Sequence, residues 1–305
     1  MGHYIARRLI QSFFVVLAVV ILVFVLARLT GDPAQLYLPL HATEAMRDTY
    51  RTAHGLDQPI LIQLGYFLLD VARGDFGHSM WQKVPALPLV MQRLPLTLQL
   101  AGATIVVAFV LAFVLGSLSA LHPLSWVDRA TTFVSLVGIT VADFWLALVL
   151  ILVFAVHLGW LPTSGTGGLA YLVLPGITLA WRPLGRMAQV VRSSVCEQMS
   201  ACYITTARAK GLSERAVLAR HVLRNAVIPV LTVAGVEFVG LANGAVIVET
   251  VFGWPGIGKL TIDALERRDF AVIQACVFVV AIMVVVLNLI IDFVYAAVDP
   301  RIRYT

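Results

Sequence analysis

The sequence predicts an all-α membrane protein with six transmembrane helices. Of its 305 residues, 60% are hydrophobic and only 13% are charged, and the mean hydropathy is +0.90. Several apolar runs reach the roughly 20 residues that a helix needs to cross a bilayer. No stretch is polar and long enough to form an aqueous domain that binds nucleic acid. We therefore treat residues 1–305 as one transmembrane domain, and the net charge of +5 indicates topology and contact with membrane lipid.

The six predicted spans are apolar runs separated by polar or irregular segments. The first span, 9–29, follows Arg7 and Arg8, which favours a cytoplasmic N-terminus. No small-x-small cleavage pattern follows it, so we expect an anchor that stays in the protein. The other spans are predicted at 96–121, 132–158, 171–191, 226–248 and 271–297. Both termini are then cytoplasmic. Lys and Arg are concentrated in the short inner loops, as the positive-inside rule expects.

This topology gives three outer segments, and the two longest are 30–95 and 249–269. Residues 30–95 are polar enough to lie outside, and the amphipathic run 60–71 within them is too short to span. Pro85, Pro88 and Pro95 predict breaks in regular structure there. Segment 249–269 contains the run 252–258 with three glycines and a proline, which predicts irregular backbone.

The most basic stretch of the chain, residues 203–229, is predicted to be a helix, a sharp turn and a second helix; we call it the elbow. Gly211 suits the turn because glycine adopts a positive φ without strain. Ser213 suits the N-cap of the second helix, with Glu214 in its first turn. One face of that helix is apolar: Ala216, Leu218, Ala219, Val222, Leu223 and Ala226. Such an elbow either docks on a partner or lies on anionic lipid, and composition leaves both open.

Ionisable side chains at span depth are costly and often functional. They are Asp143, Arg182, Arg186, Glu237 and Asp292. We expect Arg182 to pair with Asp143 or Glu237, and Arg186 to extend toward the inner surface. These groups either line a polar cavity for a charged solute or fix the helix packing. The fourth span contains two prolines, which suits either a helix lining a pathway or an ordinary kinked helix.

The sequence contains no enzyme motif. It lacks the GxxxxGK[ST] phosphate loop, HExxH and GxSxG, so we predict no catalytic residue and no ATP binding by this chain. The scattered histidines and the three cysteines predict no metal site and no disulfide framework.

Several short motifs follow one another along nearly the whole chain. The elbow contains TTARAKG at 205–211 and Ile-Pro at 228–229. The flanking motifs are GDP at 31–33, GLDQP at 55–59, RGDFGHS at 73–79, LGWLP at 158–162, VETVFGWPGIG at 248–258 and DPRIR at 299–303. Together they resemble the integral membrane permease of bacterial ABC importers, most closely the first permease of dipeptide, oligopeptide, glutathione and nickel systems. The first two positions of the elbow motif depart from that family's wider Glu-Ala-Ala pattern.

The resemblance implies an ATP-driven importer of peptides in the bacterial inner membrane, with nickel as the alternative solute. Such a permease works with a second permease, two cytoplasmic ATPases that bind ATP and Mg, and an extracytoplasmic solute-binding protein. The loop 192–225 would then be the coupling loop, seated on an ATPase subunit. The coupling residues that the resemblance implies are Thr205, Ala207, Arg208, Lys210, Gly211, Leu212, Glu214 and Arg215.

Two further groups of residues are predicted at sites along the transport route. Asp143, Arg182, Glu237 and Asn243 are candidates for the translocation pathway. The candidates for an outer gate or a contact with the binding protein are Trp254, Pro255 and Gly256. The intramembrane acids and the broken fourth span also suit an ion-coupled secondary transporter, which would need no ATPase partner.

Overall fold

The computed structural model describes residues 2–29, 42–53 and 57–298, and these are mainly helical. The helices are α1 Gly2–Leu29, α2 Glu44–Ala53, α3 Ile60–Arg73, α4 Ala86–Leu121, α5 Trp126–Thr140, α6 Asp143–Leu150, α7 Leu169–Met199, α8 Cys202–Ala209, α9 Glu214–Val217, α10 Leu223–Gly244, α11 Val246–Val251, α12 Ile257–Glu266 and α13 Phe270–Val298. Wide π-helical turns extend α6 over Ile151–His157 and α9 over Leu218–Val222. The motifs at 31–33 and 299–303, and the first two residues of the motif at 55–59, lie outside the described residues.

Four stretches of described helix are long and apolar enough to cross a membrane: Arg7–Leu26, Ala86–Leu121, Glu214–Asn243 and Phe270–Val294. The bent pair α5–α6 makes a fifth if it counts as one crossing. The predicted fourth span lies in α7, whose 31 residues extend about 46 Å at 1.5 Å per residue. Arg182 and Arg186 lower the apolar character of α7, so its crossing stays a prediction.

Helix α4 begins ten residues before the predicted start of the second span, and the expected break at Pro88 and Pro95 is wrong. Pro88 lies in the first turn of the helix, where backbone N–H groups have no intrahelical partner. Pro95 lies inside the helix and removes a single backbone hydrogen bond, which the long apolar helix tolerates.

The predicted third span is not one straight helix. Helices α5 and α6 are bent by 108° at their junction. The Thr140 hydroxyl donates to the carbonyl of Leu136 at 2.9 Å, and such back-bonding bends helices. Val141 then adopts an extended conformation, with φ −75° and ψ 132°, before Asp143 begins α6.

The helices group into two compact units. The first comprises the described parts of Met1–Thr97 and Pro255–Leu289. Its core buries apolar side chains of α3, α4, α12 and α13, among them Leu89, Ile257 and Ala271. Two polar contacts join distant parts of this unit: the Ser79 hydroxyl donates to the Asp269 carboxylate at 2.5 Å, and the Ile257 amide donates to the Thr97 hydroxyl at 2.9 Å.

The second unit comprises Leu98–Trp254 and the described residues from Ile290 onward. Helix α7 is its centre and packs against α5, α6, α10 and α11. Met187, Val191 and Val195 of α7 are completely buried in its core. A Cβ at Gly185 would lie 2.6 Å from the carbonyl oxygen of Ser135, so this glycine allows α5 and α7 to approach closely. Helix α7 therefore positions both the charged residues of the bundle and the start of the elbow.

Candidate functional site

The elbow has the predicted local structure. Helix α8 ends at Ala209, and Gly211 makes the turn with φ +76°. The Ser213 hydroxyl caps α9 by accepting from the Ala216 amide at 3.4 Å. Apart from Gly211 and its two neighbours in the chain, no heavy atom of the described residues lies within 4 Å of a Cβ built on Gly211. The glycine is therefore required by backbone conformation rather than by crowding within this chain.

Seven of the eight predicted coupling residues lie on the surface. The exposed ones are Thr205, Arg208, Lys210, Gly211, Leu212, Glu214 and Arg215. Ala207 differs because its side chain is buried in the core of the second unit together with Ile204. The elbow thus has an inner face that packs on the bundle and an outer face that is largely basic.

An ion pair that the sequence does not predict stabilises the turn. The guanidinium of Arg208 donates to both carboxylate oxygens of Glu214, with N–O distances of 2.8 and 3.1 Å. Both residues lie in the predicted loop 192–225, outside the predicted spans. These hydrogen bonds hold the pKa of the Glu214 carboxyl below its usual value and raise the pKa of the Arg208 guanidinium. The pair joins α8 to α9 across Gly211.

The apolar face of the second helix is shifted from the predicted one. Val217, Val222 and Ala226 are buried, whereas Ala219 is exposed. The π-helical turns over Leu218–Val222 explain the shift, because a π-helix bonds residue i to i+5 and brings residues 217 and 222 to the same side. A regular helical repeat could not predict this.

Tyr203 ties the elbow to the helices before and after it, which the sequence did not indicate. Its hydroxyl donates to the side-chain carbonyl of Gln198 in α7 at 2.5 Å and accepts from the Asn225 side-chain amide in α10 at 3.1 Å. The two ends of the elbow are therefore held together by one side chain.

A second ion pair joins α5 to α7. Arg192 donates through Nε and Nη2 to the two oxygens of Asp128, at 2.7 and 3.1 Å, and the Asp128 side chain is buried. The sequence does not predict this pair, whose partners lie far apart in the chain. The available signal was the capping pattern of Ser125 and Asp128, since Ser125 caps α5.

Three of the four candidate pathway residues take part in two ion pairs along α7. Arg182 lies 3.6 Å from Asp143, which confirms that predicted pair. Glu237 pairs with Arg186 at 2.9 Å and not with Arg182, and the extension of Arg186 toward the inner surface stays a prediction. Arg182 and Arg186 are four residues apart and share one face of α7. Asn243 is exposed and lies six residues after Glu237, which places it on another face of α10.

The candidate outer residues lie in the irregular run between α11 and α12. The run spans residues 252–256, since Ile257 and Gly258 already belong to α12. Trp254 is only 3% exposed, so its ring lies inside the protein. Pro255 and Gly256 line a cavity of the first unit with a volume of about 670 Å³.

Residues 112–304, which include the elbow and all of α7, match the family of the binding-protein-dependent transport system inner membrane component. The chain belongs to this family. The resemblance seen in the short motifs is thereby confirmed, and the family accounts for the basic elbow better than an ion-coupled transporter does.

Several permease proteins match this chain from end to end. The oligopeptide transport system permease protein AppB of Bacillus subtilis (strain 168) is 39% identical over 316 residues, covering all of both chains. The glutathione transport system permease protein GsiC of Escherichia coli (strain K12) is 38% identical over 305 residues, again covering all of both. The probable peptide ABC transporter permease protein y4tP of Sinorhizobium fredii is 39% identical over 313 residues.

Solved transporters share the fold of this permease. An amino acid ABC transporter crystallised with histidines has a TM-score of 0.56 and 15% identity, covering 69% of this chain and 94% of that chain. The inward-facing MetNI methionine ABC transporter has a TM-score of 0.56 and 17% identity, covering 69% of this chain and 96% of that chain. The chain is therefore a multi-pass permease subunit of an ABC importer, with the type I permease fold. Transport is its role, and ATP hydrolysis and solute capture belong to partner ATPase and binding proteins.

Proposed function

We propose that this permease carries peptides, either di- and oligopeptides or glutathione-like peptides, inward across the bacterial inner membrane. The full-length identity of 38–39% to oligopeptide and glutathione permeases is the observation that supports this solute class. A nickel importer is the alternative within the same branch.

The elbow is proposed to be the part that couples transport to ATP hydrolysis. Its outer face presents Arg208, Lys210 and Arg215 around the Gly211 turn, while its inner face packs on the bundle through Ile204 and Ala207. The Arg208–Glu214 pair and the Tyr203 contacts hold this shape. A rigid elbow can transmit a rigid-body motion of an ATPase subunit to α7 and α10, which a loose loop cannot.

In the proposed cycle, two ATPase subunits bind ATP with Mg and close, which moves the elbows of this chain and of a second permease together. The bundle then opens outward to accept solute from the binding protein, and hydrolysis returns it to the inward-facing state. This chain holds no cofactor in the scheme. Both termini lie in the cytoplasm, which keeps the elbow on the ATPase side.

The ion pairs of α7 are proposed to line the translocation pathway. Arg182 and Arg186 are each about half exposed, although each has a carboxylate partner. Charged groups at membrane depth commonly face a bundle interior or a water-filled cavity, where a zwitterionic peptide would also pass. Asn243 is assigned to the same pathway, where its neutral amide would offer hydrogen bonds to the peptide.

Residues 254–256 are proposed to belong to the outer gate. Trp254 is buried and therefore suits a gate that moves with the protein better than a fixed contact on its surface. Pro255 and Gly256 join α11 to α12 through a short non-helical connection, which is where a hinge absorbs backbone rotation.

Reconstitution tests the proposed function. The chain, its second permease, the two ATPases and the binding protein are placed in liposomes with the ATPases facing the medium, and export of labelled trialanine, glutathione or Ni²⁺ from the lumen is followed. We expect ATP-dependent movement of a peptide or glutathione that requires the binding protein in the lumen. If Ni²⁺ moves and neither peptide does, the nickel alternative is correct and the peptide assignment is wrong. Movement of any of these solutes without the ATPases would contradict the coupling scheme.

A further inference from the structure

The first unit contains a cavity that the transport scheme has not yet used. Its volume is about 670 Å³, within the range of roughly 300–1,000 Å³ that is typical of small-molecule sites. It is lined by the loop after α3, the start of α4, helix α12 and the start of α13. All of its lining residues except Val272 fall in two of the predicted outer segments, 30–95 and 249–269. The cavity is thus placed on the side from which solute arrives.

The described residues contribute five charged side chains to the cavity wall, and four have partners. The five are Arg93, Lys259, Asp263, Arg267 and Asp269. The Lys259 ammonium lies 2.9 Å from Asp263. The Arg267 guanidinium lies 3.4 Å from the centre of the Trp81 ring. The carboxylate of Asp269 accepts from Ser79, as described above.

Arg93 differs from the other four. It is half-buried in α4 and makes no hydrogen bond or ion pair with any described residue. Its guanidinium is a planar cation with five N–H donors. A partly buried cation without a partner costs free energy that a bound anion removes. A carboxylate matches the planar fork of arginine with two parallel hydrogen bonds.

We propose that this cavity is the outer peptide-binding site of the permease and that Arg93 binds the C-terminal carboxylate of the peptide. The inference rests on the proposed function, since it names the group of a peptide that the chain recognises. The three basic and two acidic wall residues leave one positive charge, which one carboxylate neutralises. Leu89, Leu260 and the exposed ring of Trp81 supply apolar surface for peptide side chains.

The test is a direct binding measurement on the purified permease pair with its ATPases in lipid nanodiscs, without the binding protein and with a non-hydrolysable ATP analogue that keeps the ATPases closed and the bundle open outward. Trialanine and trialanine amide differ only in the terminal carboxylate, and each is titrated by calorimetry. We expect trialanine to bind about tenfold more tightly than the amide, which corresponds to about 1.4 kcal/mol. Arg93→Gln is expected to lower the affinity for trialanine to that for the amide, and to leave the affinity for the amide unchanged.

Two further variants make the test specific. Arg73→Gln removes an exposed cation at the end of α3 that does not line the cavity, so it is expected to bind like the wild type. Arg93→Lys keeps the charge but loses the fork, so an intermediate affinity is expected.

Several results would overturn the proposal. These are absence of binding, equal affinity for the two peptides in the wild type, or equal effects of Arg93→Gln and Arg73→Gln. If Arg93→Gln instead weakens capture of the binding protein and leaves the ratio of the two peptides unchanged, the site belongs to an acidic protein surface and the proposal is also wrong. The assay needs neither ATP hydrolysis nor transport, so its failure is distinguishable from failure of peptide import.

Discussion

Asp128 accepts hydrogen bonds from four donors: Nε and Nη2 of Arg192, the Ser119 hydroxyl and the Leu124 amide. Leu124 has a φ of +62°, a conformation that non-glycine residues rarely adopt. The carboxylate thus holds a strained turn between α4 and α5 and fixes that turn to α7, shortly before the elbow. Removing its charge leaves several donors poorly satisfied in a buried place.

The first prediction compares Asp128→Asn with Glu214→Gln. Asparagine has the size of aspartate but must turn one N–H₂ group toward a donor, so we expect a clear fall in the unfolding temperature of the purified complex. Glu214 forms an exposed ion pair, and such pairs contribute little to stability, so Glu214→Gln is expected to leave that temperature nearly unchanged. Equal shifts for the two variants would show that the buried network does not stabilise the fold.

At the scale of elements, α7 combines close packing on one side with charged pairs on another. Gly185 sits against α5, Met187 and Val191 fill the core, and Arg182 and Arg186 form the two ion pairs. Its C-terminal end is joined to the elbow and to α10 through Tyr203. A movement of the elbow therefore reaches the charged pairs through one continuous helix.

The second prediction tests the close contact of α5 with α7. Gly185→Ala places a Cβ 2.6 Å from a backbone oxygen, so the helices must separate, and we expect a loss of about 1–3 kcal/mol of stability. Gly240→Ala in α10 is the matched control, since no atom lies within 4 Å of its Cβ position. That control is expected to be neutral or to stabilise by up to about 1 kcal/mol. Denaturation of the two variants side by side measures the difference, and similar values would refute the contact.

The third prediction concerns the pair between α7 and α10. Glu237→Gln leaves Arg186 without its carboxylate, and we expect peptide movement in liposomes to fall by roughly tenfold, the effect of about 1.4 kcal/mol on a rate. ATPase capture should be retained, because the elbow is unchanged. Glu266→Gln, an exposed acid of α12, serves as the control. Normal transport by Glu237→Gln would remove this pair from the proposed pathway.

At the scale of the whole molecule, the sequence predicted the helical class, the elbow and its turn at Gly211 because these depend on local chemistry. It did not predict the Arg186–Glu237 and Arg192–Asp128 pairs, whose partners are 51 and 64 residues apart. Spacing along the chain does not reveal which helix faces meet. The π-helical turns after α9 and the bend after Thr140 also depend on packing around them, and Pro95 shows that a long apolar helix overrides a local breaker.

The central claim is that the elbow docks this permease on an ATPase subunit, and capture of that subunit tests it most directly. Tagged wild-type chain, Gly211→Asp and Gly65→Asp are purified in mild detergent, and bound ATPase is quantified by mass spectrometry. Both glycines have open space around the Cβ position, so neither aspartate clashes within the chain. We predict that wild type and Gly65→Asp retain the ATPase and that Gly211→Asp, although correctly inserted, loses most of it. Equal capture by all three chains would contradict the claim.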